Sequence, residues 1–199
     1  MAVPADPRAD YDVFDDPYCY KGTNVLKNIP GLRDPAALEA FEIASVAQRA
    51  DEPLPDGRLS AAHYRAVHHH LFQDVFRWAG RLRRVRVSKA GSVFCYPENI
   101  AAELKRLFLA LRQERYLRGL TPDDFAVRAA HFLADLNAVH PFREGNGRAQ
   151  MAFMALLARQ AQQPFDLERL DPDRFLAAMI RSFAADEEPL ARELRGLID

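Results

Sequence analysis

The chain has 199 residues, 27 basic against 28 acidic side chains, a net charge of −1 and 49% hydrophobic residues. That length fits one domain, able to bury roughly 70% of its unfolded surface and to fold without staples. Near-neutral charge and ordinary apolar content exclude a disordered chain and one that binds nucleic acid by bulk electrostatics, so no direct nucleic-acid contact is expected. Cys19 and Cys95 stand far apart with no CxxC partner, which excludes a disulfide framework and a zinc site and fits a reducing compartment. The N-terminus lacks the basic and apolar regions of a signal peptide, and the apolar run at residues 151–158 is far short of the roughly 20 residues that span a bilayer. A cytoplasmic protein with no membrane segment is expected.

In chain order, residues 1–19 are rich in Pro, Asp and Tyr without periodicity and form an N-terminal arm. Residues 20–185 form the domain, and 186–199 a C-terminal tail or helix. Asp34 caps a helix with Pro35 in its first turn, and Leu38, Phe41, Ile43 and Val46 share its apolar face. Ser60 caps a second helix carrying Tyr64, Val67 and Leu71. Residues 81–94 change rhythm: Leu82, Val85 and Val87 alternate with arginines, residues 90–91 turn, and Val93 and Phe94 resume, which predicts a β-hairpin. Leu104, Phe108 and Leu111 mark a third helix, and Thr121-Pro122-Asp123-Asp124 starts a fourth that ends near His140, ahead of Pro141. A fifth begins around Gly147 and Arg148, and a sixth follows Leu170-Asp171-Pro172-Asp173. The fold class is mostly α with one small inserted β-hairpin.

Chemistry concentrates between the fourth and fifth helices, in HPFREGNGR at residues 140–148. Taken singly, a His before Pro is a helix end, GNG is a turn and an exposed Arg is solvated. Together they place a base, an acid, two glycines and a guanidinium at a helix N-terminus. There the converging N–H groups and the helix dipole favour an anion, typically phosphate. Glu144 beside such a cradle suits a divalent cation bridging carboxylate and phosphates. His140, ending the preceding helix, is placed to take a proton from a hydroxyl attacking phosphorus. Phe142 anchors the loop in the core.

The nine residues resemble the HPFx[D/E]GNGR signature of the Fic (filamentation induced by cAMP) family. YKGTNVLKN at residues 20–28 is similar to that family's N-terminal strap, and LFQDVFRWAG at 71–80 to the helix end before its β-hairpin "flap". The resemblance implies a Fic-type helical fold and a bacterial protein adenylyltransferase that moves AMP from MgATP to a Ser, Thr or Tyr hydroxyl of a target protein. It implies His140 as the base, Glu144 as the Mg²⁺ ligand, and Gly145, Asn146, Gly147 and Arg148 as the nucleotide-phosphate site. The flap, with Lys89, Gly91, Val93 and Phe94, is implied to register the target by strand pairing.

The resemblance departs from the family at two places. The family pattern continues GNGRxxR, but Met151 stands where the second arginine, a γ-phosphate contact, is expected. The self-inhibitory [S/T]xxxE[G/N] pattern does not occur in the sequence. The expectation is a toxin restrained by a small antitoxin that carries that helix, because no delivery domain follows the core. The alternatives are a weakened Fic scaffold acting as a nucleotide-binding or interaction module, and transfer of UMP or a phosphoryl group. Elsewhere, His68-His69-His70 point in different directions along a helix and read as solvated or capping side chains rather than a metal site. Arg81, Arg83, Arg84 and Arg86 read as a solvated hairpin face. Trp78, Met151, Phe153 and Met154 read as core, and Cys95 carries no chemistry.

Overall fold

Helix starts in this chain are written by its caps. In the computed structural model, which describes residues 16–89 and 92–199, Asp34 accepts a hydrogen bond from the Ala37 N–H at 2.8 Å and opens α1, Pro35–Ala50. Ser60 accepts from the His63 N–H and opens α2, Ala61–Phe72. Thr121 and Asp171 do the same for α4, Pro122–Val139, and α6, Pro172–Phe183, each with Pro in the first turn. Each cap satisfies a donor that the helix cannot, worth about 1 kcal/mol. Between them lie α3, Ile100–Gln113, and α5, Asn146–Gln160, and α7, Glu188–Gly196, closes the order.

The α4 helix is the axis of the molecule: α3, α5, α6 and α7 all pack on it. Phe125, Ala129, Leu133 and Leu136 are fully buried along it, and they meet Leu104 and Phe108 of α3, Phe153 and Leu157 of α5 and Leu190 and Leu194 of α7 in one continuous core. A second, smaller core joins α1 and α2 to Val25, Leu26, Val75 and Phe76. No described helix is long and apolar enough to cross a membrane.

The mostly helical fold with a small hairpin is as the sequence implies, but four local expectations change. On α1 the buried stripe runs Leu38, Glu42, Val46, while Ile43 is 60% exposed. A carboxylate therefore replaces an expected apolar residue on the inner face. The hairpin shrinks to β1, Ser88–Lys89, and β2, Ser92–Val93, antiparallel with Ser88 opposite Val93 and Lys89 opposite Ser92. Residues 81–87 run outside the ladder because Arg83 is 2% exposed, turned inwards to backbone carbonyls rather than to solvent. The α5 helix starts at Asn146, one residue earlier than expected, because Gly145 supplies its N-cap. Trp78 is only half-buried, stacked on Phe76 and edge-on to Tyr18.

The described part of the N-terminal arm is strapped to the domain. A bridge pairs Cys19 with Leu26, and Asp16 meets Arg143 at 2.6 Å with both side chains almost fully buried. Removing one partner of such a pair leaves a desolvated charge without its counter-ion. Asp16→Ala is expected to lower the unfolding free energy by about 3 kcal/mol, whereas Glu188→Ala, which removes an exposed pair with Arg192, changes it by less than about 1 kcal/mol. Urea denaturation followed by circular dichroism measures both. Equal effects from the two substitutions would contradict a buried anchor at Asp16.

Candidate active site

The joint between α4 and α5 is six residues long, 140–145, and each turn in it has a local cause. His140 caps α4 in the left-handed conformation, φ +45°, with its N–H still donating to the Leu136 carbonyl. Such a conformation costs a non-glycine residue roughly 1 kcal/mol. Pro141 prevents the helix from continuing. Phe142 then inserts with no exposed surface. Its backbone is held at both ends by one side chain: its N–H donates to Asn146 Oδ1 at 3.0 Å, and its carbonyl accepts from Asn146 Nδ2 at 2.9 Å. Gly145 turns back at φ +80°, and a Cβ there would lie 2.3 Å from the Phe72 ring. Glycine is needed both for the dihedral and for the space.

His140 lies under the flap. Its ring stacks on Phe94 with centroids 3.8 Å apart, and Phe183 of α6 meets the other side of that contact edge-on to Phe94. Burial, and next the Arg83 guanidinium, lower the His140 pKa from 6.5 to about 3. The imidazole is therefore neutral around pH 7 and able to accept a proton. Nδ1 is sealed from solvent, which leaves Nε2 as the nitrogen to receive it.

At the other end of the loop from His140 stands the N-terminus of α5. Glu144 accepts from the Gly145 N–H at 2.9 Å, and Arg148, one turn into the helix, lies 3.7 Å from the same carboxylate oxygen. Arg148 also pairs with the buried Glu42 of α1 and covers the Phe72 ring at 4.7 Å. Around Gly147 the space is open: a Cβ built there meets nothing within 4 Å. The sequence thus places His140, Phe142, Glu144, Gly145, Asn146, Gly147, Arg148 and Phe94 in one neighbourhood. Within it the Asn146 amide faces its own loop, so towards an anion this residue offers its backbone rather than its side chain. Lys89 on β1 adds positive charge towards His140, Val93 on β2 is 58% exposed, and Gly91 lies outside the described residues. Beside the flap, Val93, Phe94 and Tyr96 with Arg106 of α3 and Asp135 of α4 line a cleft of about 460 Å³.

Among the described residues no three His, Cys, Asp or Glu side chains gather to hold a metal. A single half-buried carboxylate, Glu144, fits a Mg²⁺ ion that draws its remaining oxygens from phosphates and water. The open space at Gly147 beside Arg148 fits the phosphates themselves.

One buried polar residue that sequence reasoning read as solvated or capping supports the site from α2. His68 of α2 has no exposed surface and sits between Phe142 and Phe72, centroids 3.7 and 4.7 Å away. Its Nδ1 accepts from the Gly80 N–H, so Nε2 carries the proton and donates to the Glu144 carbonyl at 2.9 Å. Burial lowers its pKa to about 3, keeping it neutral. Arg143, within the loop, pairs with Asp16 of the strap, and its charge also disfavours the His140 imidazolium.

Residues 58–158 match the sequence profile of the Fic/DOC family, and a probable protein adenylyltransferase of Sinorhizobium fredii is 49% identical over 94% of this chain and 98% of its own length. The chain belongs to the Fic/DOC family. Two solved structures share its fold closely. The BepC protein of Bartonella tribocorum, a translocated effector solved with bound AMPPNP, superposes with a TM-score of 0.82 at 30% identity, covering 92% of this chain and 96% of that one. The N-terminal Fic domain of a Bartonella quintana effector, solved with ADP, gives 0.84 at 31% identity over 92% and 94%.

The glycines of this Fic/DOC joint separate folding from binding. Gly147→Ala adds a methyl in open space on a helix and is expected to leave stability unchanged or raise it by about 0.5 kcal/mol, while weakening ADP about tenfold. Gly145→Ala forces the loop off the Phe72 ring and is expected to weaken both. Thermal melts and calorimetric titration with ADP check the pair. ADP affinity unchanged in Gly147→Ala would remove the phosphates from the α5 N-terminus.

Proposed function

We propose that this Fic/DOC protein transfers AMP from MgATP to a Ser, Thr or Tyr hydroxyl of a target protein. Its activity class, protein adenylyltransferase, is the one its relatives carry by name. The observation that carries the reading is the α4–α5 joint, which has at one end a half-buried imidazole kept neutral by its surroundings and at the other a helix N-terminus left open at Gly147.

In the proposed reaction His140 Nε2 accepts the proton of the target hydroxyl as its oxygen bonds to the α-phosphorus. The bond from the α-phosphorus to the bridging oxygen breaks, and pyrophosphate leaves with that electron pair. The N–H groups at the start of α5 and the Arg148 guanidinium stabilise the charge that develops on the phosphate oxygens. Glu144 would hold the Mg²⁺ ion, which when bound neutralises phosphate charge. Arg148 leaves Glu42, or shares it, on turning to the nucleotide. The exposed flap edge at Val93 and the adjoining cleft are where the target's backbone would lie. A toxin role with restraint by a separate antitoxin carrying [S/T]xxxE[G/N] rests on the family resemblance, and a cytoplasmic setting fits the two free cysteines.

A lysate incubated with the protein and either α-³²P-ATP or γ-³²P-ATP tests the reading. A protein band labelled only by the α-phosphate, and absent with His140→Ala, is expected. A band labelled by the γ-phosphate alone would instead make the protein a kinase. Met151, half-buried against the main core, is one helical turn from Arg148, and Met151→Arg is expected to strengthen the band by up to about tenfold through one charge-assisted contact. Labelling with that variant alone would mean a silenced scaffold.

The His140 environment also fixes a pH dependence. With a pKa lowered from 6.5 towards about 3, the base form persists as pH falls, so kcat/KM for ATP should stay flat down to about pH 5. Bound phosphates are anions that favour the imidazolium, so the acid limb of kcat should lie at higher pH than that of kcat/KM. A kcat/KM limb centred at 6.5 or above would show that His140 is not held neutral by its surroundings.

A further inference from the structure

One charged side chain reaches both the flap and the candidate base. Arg83 precedes β1 and is buried to 2% exposure. Its Nε donates to the His140 carbonyl at 2.7 Å, and Nη2 to the Val139 carbonyl at 3.4 Å, both at the C-terminal end of α4. Nη1 donates to the Val85 carbonyl at 2.7 Å and Nη2 to the Cys95 carbonyl at 2.5 Å, on the two legs of the hairpin. Its backbone N–H adds a bond to the Pro141 carbonyl at 2.9 Å, and the Cys95 N–H one to the Ala138 carbonyl at 3.0 Å.

The geometry has a physical logic. The last carbonyls of α4 have no intrahelical donors and carry the negative end of the helix dipole, and a guanidinium answers both needs. Its planar fork presents five N–H donors in fixed directions, so one side chain can join two separate segments. A lysine, with a single nitrogen, cannot reach all four of these carbonyls at once.

We propose that Arg83 is a positioning residue for the transfer reaction: it fastens both legs of the flap to the backbone of His140, so that docking of a target on the flap and placement of the base are mechanically one event. This rests on the function proposed above. The same cation, 57 residues from His140 in sequence, also acts on its charge. His140 is faced by Arg83, by Lys89 of β1 and by Arg143 of its own loop, all disfavouring the imidazolium, and by the Asn137 carbonyl of α4, which favours it; the Phe94 ring covers it.

Two variants separate geometry from charge. Arg83→Lys keeps the cation and loses the fork; Arg83→Met loses both. With α-³²P-ATP at saturation and the acceptor band that the wild type labels, both variants are expected to lose about a hundredfold in kcat, with KM for ATP within about threefold of wild type. The acid limb of the rate profile stays in place for Arg83→Lys and moves towards pH 6.5 for Arg83→Met. A folded Arg83→Lys variant with wild-type kcat overturns the proposal, as does a loss confined to KM.

Hydrogen exchange of the wild-type protein tests the same linkage without a variant or a target. The amides of Arg83, Phe94 and Cys95 are expected to open together with the His140 amide, within about threefold in protection. Independent opening of the flap legs and His140 overturns the proposal even if the variants do not fold. If the wild type transfers no label while these amides open as one, the proposed function fails and the mechanical linkage stands.

Discussion

The two hydrogen bonds between the Asn146 side chain and the Phe142 backbone determine what the α4–α5 joint can be. They close a small ring inside the protein, where each bond is shielded from water and where losing either would leave a buried polar group unsatisfied. With the ring closed, His140 must leave α4 on one side and Gly145 must enter α5 on the other. The imidazole and the helix N-terminus are thereby set at the two ends of one short loop. The arrangement that the proposed reaction needs is thus a property of residues 140–146.

The rest of the molecule keeps that ring rigid and sets its charge. From α2 come two aromatic faces: His68 stacks on Phe142 and bonds the Glu144 carbonyl, and Phe72 receives both the bare Gly145 and the Arg148 cation. From α1 comes Glu42, a buried carboxylate against Arg148. The strap contributes Asp16, a buried counter-ion for Arg143. Every charged residue of the loop therefore has a partner on another element, and the two cores, which share Leu156 of α5, come together beside the joint.

What could be read from sequence follows from distance along the chain. Caps, proline breaks and the 140–148 motif are local, and local chemistry dictates them; the four side-chain-capped helices begin where Asp34, Ser60, Thr121 and Asp171 say they should. Glu42, His68 and Arg83 escaped because their partners lie 106, 76 and 57 residues away. Each left a faint signal. Glu42 sits at i+4 from Leu38 and before Val46, on the stripe that burial requires, and His68 stands four residues after Tyr64 on the inner face of α2. A polar residue on an apolar stripe implies a buried partner, yet no local rule names that partner. Arg83 left less, because its neighbours Arg81, Arg84 and Arg86 make a solvated face the simpler reading.

The left-handed backbone of His140 has an evolutionary consequence. Position 140 is a helix C-cap where glycine would relieve strain at no steric cost. Selection for stability alone would drift this site to glycine, as would any engineering scheme that scores only folding. A histidine there accepts backbone strain in exchange for the side chain that the proposed reaction uses as its base. On that reading, a chain released from catalysis gains folding stability when His140 is replaced by glycine, so loss of activity and relief of strain would come together in one substitution.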